Sequence, residues 1–449
     1  MSSTGSGRAY SPMTKYAAAS GADATSPVDV SAAAGAHGHS GVKAGRIARI
    51  LAESAGLLRG PQRLFPLIHS LAHDKIRITF EQRHLYSYTK TKRPTAEALE
   101  SVVRWILDAQ RPDGGIAAYY SLLTGLSESY PEVTGYIIPT LYDFARASGE
   151  QCALSAAQHA TRWLLSLQME SGAFPGGLQG SDSQPSVFNT GQILQGLVRA
   201  CAESGSADIR NSAIAAGNWL ADTQQSDGSW SGAGAYQESA HTYYSMVAWS
   251  LAELAECAAD ERFGLAAERN LEWVLSYFRP SGWVDGINLR GHPDYLHFIA
   301  YALQGVLECA ILRRRKDAFE AVEKPAWVLL RKFETGKHLA GAYEQDFKGG
   351  RKFSCVTGNA QMSCVWLRLF EVTHDLRYLN AALKMNETLK QLLPSRGRKG
   401  IVGGVSGSYP VWGAYQPLRY ISWGNKFVAD ALMMEQRLKR EFEGASCAS

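Results

Sequence analysis

The apolar positions of this chain fall into two kinds of helical run that alternate. One kind is amphipathic and carries tryptophan: Trp105-Ile106-Leu107, Trp163-Leu164-Leu165, Trp219-Leu220-Ala221, Trp273-Val274-Leu275, and a fifth run at Trp327. The other is apolar nearly all round, as in Ile193-Leu194-Gln195-Gly196-Leu197-Val198 and Met246-Val247-Ala248-Trp249-Ser250-Leu251. A one-sided stripe suits a helix packed on one face, and an all-round apolar helix is buried. The pattern therefore predicts outer helices alternating with inner ones.

The tryptophans are spaced by 58, 56, 54 and 54 residues, and a fixed period near 50 marks a repeat architecture. After each Trp helix comes a Gln or an aromatic and a Gly-containing turn: Gln110 then Asp113-Gly114-Gly115, Gln168 then Ser171-Gly172, Gln224 then Asp227-Gly228-Ser229-Trp230, Tyr277 then Ser281-Gly282-Trp283, and later Gly341-Ala342-Tyr343. A degenerate sixth copy runs from Leu383 to Gly403. Inner helices are expected to start at Thr134-Gly135-Tyr136, Asn189-Thr190-Gly191-Gln192, His241-Thr242-Tyr243, Tyr295-Leu296-His297, Thr357-Gly358-Asn359-Ala360-Gln361 and Trp423-Gly424-Asn425-Lys426. Six alternating pairs suggest a closed ring. An open solenoid is the alternative, disfavoured because the inner runs are too apolar to line an open concave face.

Flanking segments read differently. Residues 1–41 are rich in Ser, Gly and Ala and read as a disordered tail containing His37 and His39. Residues 42–96 read as a helical extension, with one short strand expected at Ile76 to Phe80, and residues 441–449 as a C-terminal tail. The repeat domain occupies 97–440.

Composition narrows the function classes. The chain has 449 residues, 45% hydrophobic and 20% charged, which excludes a mostly disordered or collagen-like chain. Lys and Arg number 46 against 42 Asp and Glu, a net charge of +4, which gives no footprint of a general nucleic-acid binder. No 18-residue apolar stretch occurs, so no membrane span is expected. No basic segment followed by an apolar one opens the chain, and the expected location is cytoplasmic. The seven cysteines include no Cys-x-x-Cys pair and lie mostly in apolar runs, as reduced thiols do. No phosphate-binding or dinucleotide-binding glycine pattern and no His-Glu-x-x-His occur, so no cofactor or metal is expected.

The repeat resembles the (α/α)6 toroid of prenyltransferase and squalene-cyclase-type proteins and of many carbohydrate-active enzymes. Gln224-Gln225-Ser226-Asp227-Gly228-Ser229-Trp230 is similar to the Gln-Trp repeat of triterpene cyclases. The resemblance covers about residues 97 to 440 and implies an all-α ring, a fold that hosts many chemistries. The acidic motif that such cyclases use to protonate an alkene has no counterpart, because the chain contains neither Asp-Asp nor Asp-x-Asp. The zinc cluster of protein prenyltransferases and the Cys-Gly-x-Gln thioester stretch are likewise missing. The carbohydrate branch remains: lyases, uronyl epimerases and hydrolases. The segment Trp423 to Leu432 resembles stretches in toroid proteins of bacterial polysaccharide gene clusters.

Candidate chemistry sits where the inner helices begin. Six helix N-termini at one mouth would make a partly positive field, and Arg290, Arg419 and Lys426 would add charge for a substrate carboxylate. Abstracting the proton beside a uronate carboxylate needs a base and neutralisation of that carboxylate. Catalytic candidates are Glu132, Tyr136, Glu238, His241, His292 and His297. Tyr130, Asn189, Gln192, Tyr236, Asp294, Tyr295, Asn359, Gln361, Tyr415, Tyr420 and Trp423 are the remaining binding candidates. The rival readings are plain: Glu132 as a helix-start carboxylate, His241 as a satisfied core histidine, the Asn and Gln residues as links between helices. The leading expectation is a lyase or epimerase acting on an acidic saccharide. A hydrolase pairing Glu132 with Glu238, with Asp294 as a third candidate carboxyl, is the alternative, since hydrolysis calls for two carboxyls across the bond. A terpenoid cyclase, or a glycan-binding scaffold of polysaccharide assembly, also stands open. Oligomeric state is not legible.

Overall fold

The computed structural model describes residues 93–181, 184–336, 338–397 and 399–447. The expected tail, most of the helical extension and the strand at 76–80 lie outside the described residues.

Twelve α-helices of fourteen residues or more occupy the described chain. Six are outer: α1 (Thr95–Asp108), α3 (Gln151–Leu167), α5 (Ala207–Thr223), α7 (Glu261–Leu275), α9 (Lys316–Gly336) and α11 (Leu376–Leu392). Six are inner: α2 (Pro131–Ser148), α4 (Val187–Ser204), α6 (Ser245–Ala258), α8 (Leu296–Leu312), α10 (Val356–Thr373) and α12 (Ser422–Cys447). Each inner helix packs on the next, and α12 packs on α2, so the ring closes. The toroid expected from the repeat is the fold observed. Inner helices begin within four residues of the positions read from the sequence. α12 runs to Cys447, past the expected end of the repeat domain at residue 440.

Two kinds of connection set the geometry. Inner-to-outer turns are two or three residues long and carry their own stop and start signals. Gly149 and Gly205 end α2 and α4 in the left-handed region, at φ 79° and 65°, where glycine carries no Cβ penalty. Ser206, Asp260 and Asp375 then cap the next outer helix by accepting from a backbone N–H. Such tight turns fold each inner helix back against the outer helix that follows it. Among the described residues no inner helix precedes α1, and it packs on α12, the last inner helix. Outer-to-inner connections are long, so they all gather over the N-terminal ends of the inner helices.

The repeated Gln is the staple of this layout. Gln110 Nε2 donates to Gly114 O and to Ala156 O on α3, both at 2.9 Å. Gln168 does the same to Gly172 O and Ser212 O, and Gln224 to Gly228 O and Ala266 O. One side chain thus closes its own turn and ties it to the next outer helix. The Trp residues pack between repeats: Trp105 and Trp163 are buried, and Trp105 donates to Gly400 O.

The long loops pair as small antiparallel strands that the helical pattern does not reveal. β1 (Tyr119–Ser121) lies between β2 (Gly125–Leu126) and β7 (Arg419–Ile421). The Tyr120–Tyr420 register ties the first loop to the last and closes the ring a second time. β3 (Asp294–Tyr295) pairs with β4 (Ala342–Tyr343), and β5 (Ser354–Cys355) with β6 (Ser408–Tyr409).

Candidate active site

The first turns of the inner helices and the loops before them enclose an aromatic cavity on the ring axis. Its lining includes Tyr130, Glu132 and Tyr136 of the first repeat, Phe188 and Asn189 of α4, His297, Phe298 and Tyr301 of α8, and Tyr415, Gln416 and Trp423 near α12. Tyr236 and Tyr243 complete the wall. The ring geometry decides who faces whom. In a closed ring of six, α2 and α8 stand on opposite sides. Each carries two polar groups one turn apart: Glu132 with Tyr136, and His297 with Tyr301. Residues four apart share a helix face, so the four groups form two layers. Glu132 and His297 make the upper one. Tyr136 and Tyr301 make the lower, where the Tyr136 hydroxyl donates to Tyr301 and forms a floor across the axis.

Each group is held in a defined state. Glu132 is buried and accepts a hydrogen bond from the Tyr130 hydroxyl. His297 is buried, and its Nδ1 lies 2.7 Å from Gln361 Oε1. With a carbonyl oxygen as that neighbour, Nδ1 carries the proton and Nε2 keeps its lone pair. Burial lowers the imidazole to about 4, outweighing the opposing pull of the Gln361 bond, so the ring is neutral at pH 7. Burial also lifts Tyr136, Tyr301 and Tyr415 well above the ordinary phenol value, which keeps them protonated. Trp423 Nε1 donates to the Tyr415 hydroxyl at 2.9 Å. Asn189 donates to Pro175 O at 3.1 Å and is fixed by it. The approach of α10 that brings Gln361 to His297 requires Gly358, where an added Cβ would meet His297 N at 2.8 Å.

The other expected site residues lie elsewhere. Glu238 is exposed on a turn at φ 54°, so it does not face Glu132 across the cavity. His241 is buried behind the wall, stacked on Tyr243 with Nε2 2.9 Å from Tyr236 O. Burial lowers its imidazole. His292 is half-buried on the loop before β3, 6.2 Å from the Tyr295 ring. Asp294 is half-buried in β3, and burial lifts its carboxyl to about 6, with Asp285 adding to it. Tyr295 forms a second layer behind Tyr415, at 5.2 Å between rings. Asn359 donates to Ser354 Oγ at 2.7 Å, and Gln192 is fully buried within the inner ring. Tyr420 belongs to β7.

The three cations expected to hold a substrate carboxylate are not gathered at the cavity. Arg290 is exposed and braces a loop through Gln237 O at 2.7 Å. Arg419 stacks on Tyr119 at 4.1 Å and donates to Gln416 Oε1. Lys426 points along the axis to Asp430, at 2.6 Å, beyond the tyrosine floor. Among the described residues lining the cavity, Glu132 is the single carboxyl, and none is a lysine or arginine.

Phe188, Tyr243, Phe298, Tyr301 and Gln416 line the cavity without having been read from the sequence. Tyr301 was within reach: it stands one turn below His297, as Tyr136 does below Glu132. The others sit in apolar runs or loops that give no such signal. No helix among the described residues is long and apolar enough to cross a membrane, and no metal-binding group of His, Cys, Asp and Glu occurs among them.

The sequence matches no family model and no curated protein. The fold does match solved structures. An unsaturated glucuronyl hydrolase specific for heparin superimposes with a TM-score of 0.63 at 14% identity, over 77% of this chain and 98% of that one. A cellobiose 2-epimerase from Bacillus thermoamylovorans gives 0.61 at 12% identity, over 76% and 98%. A cellobiose 2-epimerase from Spirochaeta thermophila gives 0.59 at 13%, over 77% and 97%. Likeness at these identities establishes the (α/α)6 toroid fold of such enzymes and leaves the chemistry to the residues in the cavity.

Proposed function

We propose that the protein is a carbohydrate-active enzyme that moves a proton beside the carbonyl of a neutral, open-chain sugar, as an epimerase does. The observation that carries the reading is the upper layer of the cavity. His297, neutral and with Nε2 bare, and Glu132, bonded to Tyr130, come from opposite helices of the ring. A planar enediol intermediate held between them would have one proton-transfer group on each face. His297 takes the proton from carbon, and the Tyr130 phenol bonded to Glu132 gives its proton to the other face. Exchange with solvent then carries the proton on His297 away and restores the one on the pair. The protonated phenols of Tyr301 and Tyr415 supply hydrogen bonds to the developing oxyanion, and pre-aimed donors of this kind commonly account for most of the rate gained in such steps.

Substrate charge follows from the lining. A carboxylate-bearing sugar would meet the Glu132 carboxyl in a cavity whose lining offers no cation. A neutral sugar fits better: its C–H faces stack on the aromatic rings, and its hydroxyls meet Asn189, Gln416 and the phenols. The expected hydrolytic pair lacks its second carboxyl here, since Glu238 is exposed. Structural neighbours named as a 2-epimerase and as glucuronyl hydrolases support sugar chemistry on this ring without choosing between them. The density of aromatic faces favours one second reading, a carbocation cyclase with Glu132 as the acid.

The test is incubation with reducing disaccharides in heavy water, followed by NMR. Deuterium at the carbon next to the anomeric centre, with a new epimer, is the expected result. It should fall by about 10²–10⁴-fold in Glu132→Gln and His297→Gln, the usual contribution of a general acid or base. Unchanged sugar alongside cyclised product from an isoprenoid diphosphate or squalene would replace this reading with the second.

A further inference from the structure

Below the tyrosine floor a second cavity opens at the C-terminal ends of the inner helices. It is open to one side and has a volume of about 460 Å³, and all six inner helices contribute to it. Tyr136 lines both cavities, and buried Phe427 packs against it and Tyr301 at this level. Charged side chains are abundant here, and among the described residues all but Arg440 and Glu253 are paired with an opposite charge, Arg146 with Glu203 and Arg437 with Glu371 among them. Lys426 pairs with Asp430 at 2.6 Å, Arg199 with Asp143 at 2.5 Å and with Glu203 at 2.8 Å, and Glu308 with Arg368 at 3.0 Å. A ligand therefore need bring no net charge to this site.

Two polar groups are left over. Gln195 and Gln304 are 5% and 6% exposed, and Gln195 Nε2 and Gln304 Oε1 make no hydrogen bond with the described protein. One is a donor and the other an acceptor, and both residues line the cavity. Leaving such atoms buried and unbonded costs about 1–3 kcal/mol each. Core packing does not call for an amide here, because leucine fills similar space without that penalty. Between them stands α6 with Trp249, whose indole N–H donates to Glu253.

We infer that this second cavity is a binding site for a neutral polyhydroxylated ligand, a saccharide end group, distinct from the aromatic cavity above it. Gln195 Nε2 and Gln304 Oε1 lie just under the cavity surface, with less than 1 Å² exposed each. A sugar hydroxyl both donates and accepts, so one ring could satisfy both once each amide turns about its terminal torsion toward the cavity. The C–H face of that ring stacks on Trp249. Burial, with Glu308 nearby, lifts Glu253 to about 8. Protonated at neutral pH, that carboxyl adds a neutral hydrogen-bonding group rather than a charge. The site stands on its own residues and does not depend on the reaction proposed for the upper cavity.

The test uses protein labelled with ¹⁵N at the tryptophan indoles, the Trp249 signal being assigned from Trp249→Phe. D-glucose, cellobiose and raffinose are titrated in turn. A saturable shift of the Trp249 signal with at least one of them is expected. It should persist in Glu132→Gln, which removes turnover if the upper cavity acts as proposed. It should weaken at least tenfold in the Gln195→Leu, Gln304→Leu double variant, whose thermal midpoint is expected to match or exceed that of the parent. Absence of a shift with all three sugars overturns the inference, as does a shift undiminished in the double variant. A stronger response of the parent protein to glucuronate or glucosamine overturns the assignment of a neutral ligand, and this measurement needs no variant.

Discussion

His297 shows how much one residue's surroundings decide. A histidine with ordinary exposure titrates near 6.5, and this one titrates near 4 because it is buried. In the unfolded chain it binds a proton over the interval between those values, and in the folded protein it does not. Stability therefore rises with pH across that interval and is lost as pH falls from about 6.5 toward 4. The size is on the order of 3 kcal/mol. Buried His241 shifts in the same direction and adds to the slope. Thermal midpoints measured from pH 7 to pH 4 should fall steadily, and His297→Gln should flatten that fall. Activity that uses neutral His297 should survive to lower pH than an unshifted histidine would allow. An acid limb near 6.5 in kcat/KM would remove His297 as the base.

At the scale of elements, two local devices hold the repeat together. The Gln staple makes two hydrogen bonds per side chain. Gln168→Ala should cost about 1–3 kcal/mol, from the two bonds lost and the backbone carbonyls left unpaired. Chemical denaturation would measure it, with no change expected in sugar turnover. Close approach of inner helices is the second device. A Cβ on Gly135 would meet Ile193 Cα at 2.5 Å, and one on Gly196 would meet Gly135 O at 2.4 Å. Gly135→Ala should therefore push α2 from α4 and cost at least about 1–3 kcal/mol. Because Glu132 and Tyr136 flank that glycine, turnover should fall with stability. A variant with parental stability and turnover would refute the close-packing account.

The whole molecule depends on closing the ring. Glu435 on α12 is 1% exposed and joins three helices: Thr95 of α1 donates to Oε1 at 2.8 Å, and Asn386 of α11 donates to Oε2 at 2.9 Å. Lys439 donates to it as well, and buried Lys390 reaches Thr95 at 3.1 Å. Burial alone would raise the Glu435 carboxyl, but these bonds prevail and hold it below the usual value. Its stabilisation is thus present above the ordinary glutamate range and lost as pH falls below it. Glu435→Ala should cost about 3–5 kcal/mol, the usual result of breaking a buried charged network from one side. Unfolding should nonetheless stay a single transition, since each inner helix packs on two others. A variant that loses α12 alone, leaving the rest of the ring folded, would show that closure is not cooperative.

The fold was legible because it is written locally. Period, Trp positions, Gln staples, turn glycines and all-round apolar runs each depend on a few consecutive residues, and together they specify six pairs of helices. Where the inner helices start, and hence which end of the ring holds polar and aromatic residues, followed from the same pattern. The partnerships across the ring were not legible. Glu132 and His297 are far apart in sequence, and only closure sets α2 opposite α8. Whether Arg290, Arg419 and Lys426 meet at one mouth depended on loop paths and helix depth. The tertiary structure sent one to the surface, one onto Tyr119 and one past the tyrosine floor. Sequence by itself determined the ring, because helix amphipathicity is a short-range property. Tertiary structure alone decided which charges share a cavity, because that is a matter of distances between segments the chain does not bring together in order.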